Sequence, residues 1–424
     1  MRISTRQIQQ FGVDSMLSQQ TKLSKTQMQV ATGRRVLLPS DDPVATTQLL
    51  RLRQTVDTTG QYQANADAAT NRLVTEEGVL DGITTLLQRV RELAVQANNA
   101  VQTDESRRYL GAEVEQRLGE LLGLANAKDG AGDYLFSGTK GATQPFAKTS
   151  AGYVYDGDQS QRFLQIGAGR QVPDGNDGAE VFQMIRNGNG IFVTSVGGNP
   201  AAVPPNSANL GTGIISPGSV TGTFQESLPD GYTITFVDVP PIPPAIEPEL
   251  HYTVTDSLGV QVLPLLPATT TKYVEGEPIN FGGASVAVGG MPKDGDTFKV
   301  QSSQNQDIFQ TLENLIDALN QPATTPEQRA RLGNDINRTL TDIDQALGNV
   351  LMVRSSIGAR LNAIESQKHV NDEYLLQSEQ ILSSIQDLDY AEAISRLSLQ
   401  LAGLEASQAA YMKVNGLSMF NYLN

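Results

Sequence analysis

Both ends of the chain carry a seven-residue apolar repeat, and the middle does not. Met16, Leu23 and Val30 recur at that spacing near the start. Leu397, Leu404 and Tyr411 do so near the finish, with Ile394 and Leu401 filling the intervening positions. Such a repeat makes a narrow stripe along one side of a helix, and the stripe must be buried against another helix. Gln20, Gln27 and Gln408 stand where a strong coiled coil would carry Leu or Ile. Helices built this way pair weakly alone, which suits ends that order on assembly into something larger. Charge favours pairing of the ends. Residues 1–38 hold six basic side chains against Asp14 alone, net +5, and residues 385–424 hold four acidic against two basic, net −2.

Glycine and proline divide the chain into three. Residues 130–300 contain 26 of the 39 glycines and 16 of the 20 prolines, so the flanks are poor in helix breakers and the middle is rich in them. Pro39-Ser40-Asp41-Asp42-Pro43 predicts a helix start, with Asp or Ser as N-cap and Pro at the first helical position. From there Leu52, Val56, Ala66, Leu73, Leu80, Ile83, Leu87, Val90, Ala94 and Ala97 keep a three-four rhythm, with Gly78 and Gly82 as soft spots. A second helix is expected over about 104–127. In the other flank a short amphipathic helix runs from Ile308 to Leu319. Thr325-Pro326 then starts a long stripe, Leu332 to Ile364 and on to Ile385. Asp387-Leu388-Asp389 breaks it before a last helix from Tyr390 to Val414.

The middle reads as strands. Tyr153–Tyr155, Arg162–Ile166, Tyr232–Val237 and Thr297–Val300 are rich in β-branched and aromatic residues, and Asp156-Gly157, Asp230-Gly231 and Asp294-Gly295 mark turns. Pro240 to Pro248, with five prolines, is an edge or an exposed loop. The fold class is therefore α+β and multidomain: a long antiparallel helical bundle, a coiled-coil rod built from both termini, with an inserted β-rich domain. Expected boundaries are 1–40 and 386–424 for a terminal coiled-coil assembly domain, 41–170 and 297–385 for a helical rod with a small β part, and 171–296 for a β-rich outer domain.

Composition removes several functions. The absence of cysteine excludes disulfides, thiol catalysis and zinc–thiolate sites. A net charge of −15 argues against general nucleic-acid binding. No run of about 18 apolar residues is present, so no membrane insertion is expected, and Met1–Gln10 lacks the apolar core of a signal peptide. No catalytic constellation emerges. His369 stands between Glu365 and Glu373 at four-residue spacings, and His251 follows Glu249, but a solvated polar face is the simpler reading of each, and no metal or cofactor is expected. Asp41-Asp42 could pair as catalytic carboxylates, yet Pro43 directly after them favours a helix cap.

These residues carry a resemblance. Ile3-Ser4-Thr5, the run Ala31–Pro43 with its Pro39-Ser40-Asp41-Asp42-Pro43 frame, and the ending Asp387–Tyr390 and Leu417–Leu423 resemble bacterial flagellins and above all their hook-associated relatives. Tyr134-Leu135-Phe136-Ser137-Gly138, followed by Pro145-Phe146, is similar to a motif of the hook–filament junction family (flagellar hook-associated protein 3). The resemblance covers about 1–170 and 300–424. It implies a structural adaptor, not an enzyme, joining the hook to the flagellin filament. It also implies extracellular placement at the junction after type III export guided by an uncleaved N-terminus, with an export chaperone and the export apparatus as further partners. The implied partners are the first junction protein, flagellin and a ring of identical subunits. Met16, Leu23, Val30, Ile394, Leu397, Leu401, Leu404 and Tyr411 become the expected assembly interface. A filament flagellin, and a surface adhesin acting through 171–296, are the alternatives.

Overall fold

The computed structural model describes residues 5–150, 152–202, 207–224, 231–240, 248–264 and 269–420, with backbone alone at 5, 6, 8, 9 and 414–420. Among them are seven helices: α1 Thr5–Thr32, α2 Pro43–Ala97, α3 Asp104–Ala125, α4 Gly178–Phe182, α5 Ile308–Asn320, α6 Pro326–Gln386 and α7 Tyr390–Phe420. The chain forms two compact units. The first comprises 1–66, 165–170 and 365–424, the second 67–164 and 171–364, and α2 and α6 contribute to both.

Caps at the predicted places set the helix starts. Asp42 caps α2 by accepting the Ala45 N–H at 2.9 Å, and Pro43 occupies the first helical position, where its missing N–H costs nothing. Asp41 does a different job. Its carboxylate accepts the Lys25 ammonium at 2.7 Å and the Leu38 N–H at 3.2 Å, so it closes the turn before the helix and is held below the usual carboxylate range, chiefly by Lys25. Gly78 and Gly82 do not interrupt α2, and Gly82 gives room to Leu124 of α3.

In the second unit α2 and α6 run antiparallel, joined by Arg91–Asp344 at 2.7 Å and Arg354–Glu77 at 2.7 Å. Their facing stripes, Leu73, Leu80, Ile83, Leu87 and Val90 with Ile336, Ile343, Val350 and Ile357, are buried. Each such side chain contributes about 1.5–3 kcal/mol. Beside them an aromatic cluster joins Phe136, Phe146, Phe182 and Phe309, with neighbouring centroids 5.1–6.0 Å apart. It sits under the hairpin of β1 Phe146–Thr149 and β2 Gly152–Tyr155.

The remaining strands are β3 Phe163–Gly167, β4 Arg170–Pro173, β5 Ile185–Arg186, β6 Phe192–Gly198, β7 Ile214–Ile215, β8 Ser219–Val220, β9 Tyr232–Val239, β10 Glu249–Asp256, β11 Gln261–Leu263, β12 Thr271–Lys272, β13 Pro278–Phe281, β14 Ala284–Gly289, β15 Thr297–Ser302 and β16 Asn305–Gln306. An antiparallel sheet has the order β11-β10-β9-β15-β6, with β12 beside β10; a second has β13-β14-β7, with β8 beside β14. Tyr232, Ile234 and Phe236 alternate with half-buried Thr233 and Thr235 along β9. They meet Phe192, Phe281, Val286 and Phe298 in one core between the sheets. Period-two burial is what one covered sheet face requires. Of the expected proline loop, 241–247 lies outside the described residues, as does Asp230 of the expected Asp230-Gly231 turn.

Candidate assembly interface

In the first unit α1 and α7 pack along one another. Three contacts make the pair antiparallel: Gly12 lies against the Tyr411 ring, Gln19 against Gly403 and Gly33 against the Tyr390 hydroxyl. By that register Met16 falls between Leu404 and Tyr411, Leu23 between Leu397 and Leu404, and Val30 opposite Ala393. The two predicted heptads therefore interleave. Leu23 and Ala393 are buried; Met16, Val30, Leu397, Leu404 and Tyr411 are half-buried.

The intervening positions differ from the expectation. Ile394 and Leu401 do not fill the seam; they are 52% and 41% exposed. Gln20, Gln27 and Gln408 also face outward, and the seam runs instead through Gln19, Thr26, Ala393, Gln400 and Ser407. The reason is helical geometry. From one heptad residue the next inward position is three or four residues away, and only the partner helix decides which. The seam is more polar than its sequence suggested, and the Gln400 Oε1 finds no protein partner among the described residues.

The apolar residues left outside are numerous. Phe11, Leu17 and Met28 on α1, with Ile394, Leu399, Leu401 and Met412 on α7, are exposed, as is Leu38 in the turn after α1. Leu17, Thr21, Met28, Leu37 and Leu38 line an open groove of about 720 Å³ along α1. These side chains leave apolar surface in water along both helices of the pair.

The two terminal signature segments meet although about 350 residues separate them. Gly33 ends α1 with φ +70°, a conformation that favours glycine, and its carbonyl accepts the Leu388 N–H at 2.9 Å. A side chain there would press on the Tyr390 hydroxyl. The Arg35 N–H donates to Gln386 O at 2.8 Å, and its guanidinium donates to Ile385 O at 2.9 and 3.1 Å. Asp389 caps α7 through the N–H groups of Ala391 and Glu392. The Arg34–Pro43 turn and the Asp387–Asp389 break thus form one cross-brace. Ile3-Ser4 and Asn421 to Leu423 of the predicted signature lie outside the described residues.

In the second unit Tyr134–Gly138 is an interior loop. Leu135, Phe136 and Ser137 are buried, and Gly138, at φ +68°, lets the backbone approach the Asp158 carbonyl where a β-carbon would collide. Arg72 of α2 holds this loop, donating to Tyr134 O at 3.0 Å and Leu135 O at 3.2 Å while pairing with Asp129. One turn on, Glu76 is fully buried and accepts the Asn176 N–H at 3.2 Å. Neither residue stood out in the sequence. Their position among Ala69, Leu73 and Leu80, on the buried side of α2, was the available signal.

Burial pushes the Glu76 carboxyl up to about 8, against the opposing pull of Arg360 and Arg72. The folded state then keeps a proton that the unfolded chain releases near pH 4.5. The stability from that proton is complete below about pH 4.5 and is lost as pH rises towards 8. Urea denaturation of the wild type should lose more stability between pH 5 and pH 9 than Glu76→Gln does, by on the order of a few kcal/mol. Parallel pH profiles of the two proteins would contradict this.

His251 lies 3.7 Å from Glu249 and 3.0 Å from Thr270, and His369, largely exposed, lies 3.5 Å from Glu365. Among the described residues no group of three or more His, Asp or Glu is placed to hold a metal, and no helix is long and apolar enough to cross a membrane.

The sequence profile of the bacterial flagellin N-terminal helical region matches residues 3–141. The flagellar hook-associated protein 3 of Escherichia coli is 24% identical over 421 residues, 99% of this chain and 99% of that one. By contrast, the phase 1 flagellin of Salmonella naestved is 29% identical over 124 residues only, 29% of this chain and 25% of its own length. The crystal structure of the flagellar junction protein FlgL of Legionella pneumophila superposes with a TM-score of 0.68 at 36% identity. It covers 80% of this chain and 99% of that one. Correspondence along the whole chain, insert included, favours the junction proteins over filament flagellins and over an adhesin. With an interleaved pair of terminal helices and a buried Tyr-Leu-Phe-Ser-Gly loop, the chain belongs to the flagellar hook-associated protein 3 family, the structural junction proteins of the bacterial flagellum.

Proposed function

We propose that this protein is a non-enzymatic adaptor that seats on the first hook–filament junction protein and presents a surface to flagellin, as a ring of identical subunits. The observation that carries this reading is the set of apolar side chains that the α1–α7 pair leaves exposed. A helix pair with a polar seam and Ile394, Leu399, Leu401 and Met412 in water has not finished its burial. Neighbouring subunits would complete it, and the cost of ordering the ends would be offset there. Export through the flagellar type III apparatus, with a chaperone covering these same ends, fits terminal helices that leave apolar side chains in water. Residues 1–40 and 386–424 form the assembly domain in this reading, 41–170 and 297–385 the rod, and 171–296 an outward β domain.

The test is genetic and microscopic. Cells lacking the protein should carry hooks without filaments and shed flagellin into the medium, and the wild-type gene should restore filaments. Purified protein should form no long polymers by electron microscopy. Long polymers from this chain alone, or normal filaments in its absence, would overturn the adaptor reading.

A further inference from the structure

The Arg72–Glu76 turn of α2 carries two buried polar atoms that no hydrogen-bonding group among the described residues meets, the Arg72 Nε–H and the Glu76 Oε2. Their surroundings are already engaged. The other Arg72 nitrogens serve Asp129 and the Tyr134 and Leu135 carbonyls, and Glu76 Oε1 accepts from Asn176. Asp174 takes the Arg162 guanidinium, and its Oδ2 stays 4.0 Å from Arg72 Nε, beyond hydrogen-bond reach.

Both unmet atoms face one point beside Gly175. A β-carbon built on Gly175 would lie 3.4 Å from Arg72 Nε, 3.4 Å from Glu76 Oε2 and 3.8 Å from the Leu135 carbonyl oxygen. Gly175 is not among the glycines with positive φ, so its backbone accepts other residues. What a side chain would take is the space between these three polar atoms.

We propose that Arg72 Nε, Glu76 Oε2 and Leu135 O hold one buried water molecule beside Gly175. The partners select water by their chemistry. A guanidinium N–H repels a cation, and a carbonyl and a carboxyl oxygen repel an anion. A small neutral group that both accepts and donates satisfies all three, and about three hydrogen bonds is the usual complement of a buried water. The water accepts from Arg72 and donates to Leu135. Towards Glu76 it donates to the carboxylate or accepts from the carboxylic acid, so the site works in either protonation state. It ties the Tyr134–Gly138 loop, α2 and the 174–176 segment together at one point inside the second unit.

Gly175→Ala and Gly175→Ser in the full chain, with a high-resolution crystal structure of the wild type, test this. The structure should show density within hydrogen-bond distance of all three atoms. Alanine displaces the water and replaces none of its bonds, so its Tm should fall by roughly 3–8 °C. Serine places a hydroxyl in the water's position and should recover most of that loss. An alanine variant as stable as the wild type or more so, the ordinary result of Gly→Ala in an unstrained backbone, would overturn the site. So would a wild-type structure without the density. A loss in both variants supports the site where the density is present.

Discussion

Phe309→Ala should destabilise the second unit by about 3–5 kcal/mol. Phe309, in the first turn of α5, is fully buried and lies at the centre of the aromatic cluster: its ring stacks on Tyr153 at 4.6 Å and reaches Phe146 at 5.2 Å and Phe182 at 6.0 Å. Truncation removes these contacts and leaves a cavity among aromatic rings that are themselves held by Asp177, Asn126 and the Tyr134–Gly138 loop, so the site has little freedom to collapse. The loss is a large share of a typical domain's stability. Urea denaturation followed by near-ultraviolet circular dichroism measures it. Phe163→Ala is the control, since Phe163 is 56% exposed and its removal should stay within about 0.5 kcal/mol. Equal effects at the two positions would contradict the core assigned to the cluster.

Ile394→Asp with Leu401→Asp should leave the monomer folded and abolish filaments. Both side chains lie outside the seam, 52% and 41% exposed, so their change should cost the helix pair much less than a change within the seam. In the assembled contact each would bury an apolar side chain for about 1.5–3 kcal/mol. An aspartate there would bury an unpaired charge instead, and in the proposed ring the penalty would recur at every copy. Circular dichroism should match the wild type, while filament number and swimming in a complemented deletion strain should fall to the level of the deletion. Leu397→Asp supplies the contrast, because Leu397 lies in the seam and its change should loosen α7 from α1 before any assembly. A doubly substituted chain that supports normal filaments would show that this face is not the interface.

Much of the architecture could be read from local signals. Breakers and caps set the helix starts at Pro43 and Pro326, and the break at Asp387–Asp389 separates α6 from α7. β-Branched and aromatic residues marked β9, and the inner parts of the flank stripes lie on the buried faces of α2 and α6. What the sequence hid is non-local. The heptads announced a seam, but whether Gln19 or Gln20, and Gln400 or Leu401, faced inward depended on where the partner helix lay. The brace between Gly33–Arg35 and Ile385–Leu388 joins segments whose residues look like separate turns. Arg72 and Glu76 carry no local sign of burial in the sequence. Only the chain returning at 174–176 makes them interior. The order of the β sheets is hidden for the same reason: β15 pairs with β9 and β6, far from it in sequence.

In the proposed role the terminal helices are the part of the chain that assembles, and the second unit folds without them. A chain ending at Asp389, lacking α7 and the tail after it, tests this most directly. It should unfold with the main transition of the wild-type second unit unchanged, since the buried stripes of α2, α3, α5 and α6 remain, and it should leave a deletion strain without filaments. Filaments of normal number and length grown on that truncated chain would contradict the account.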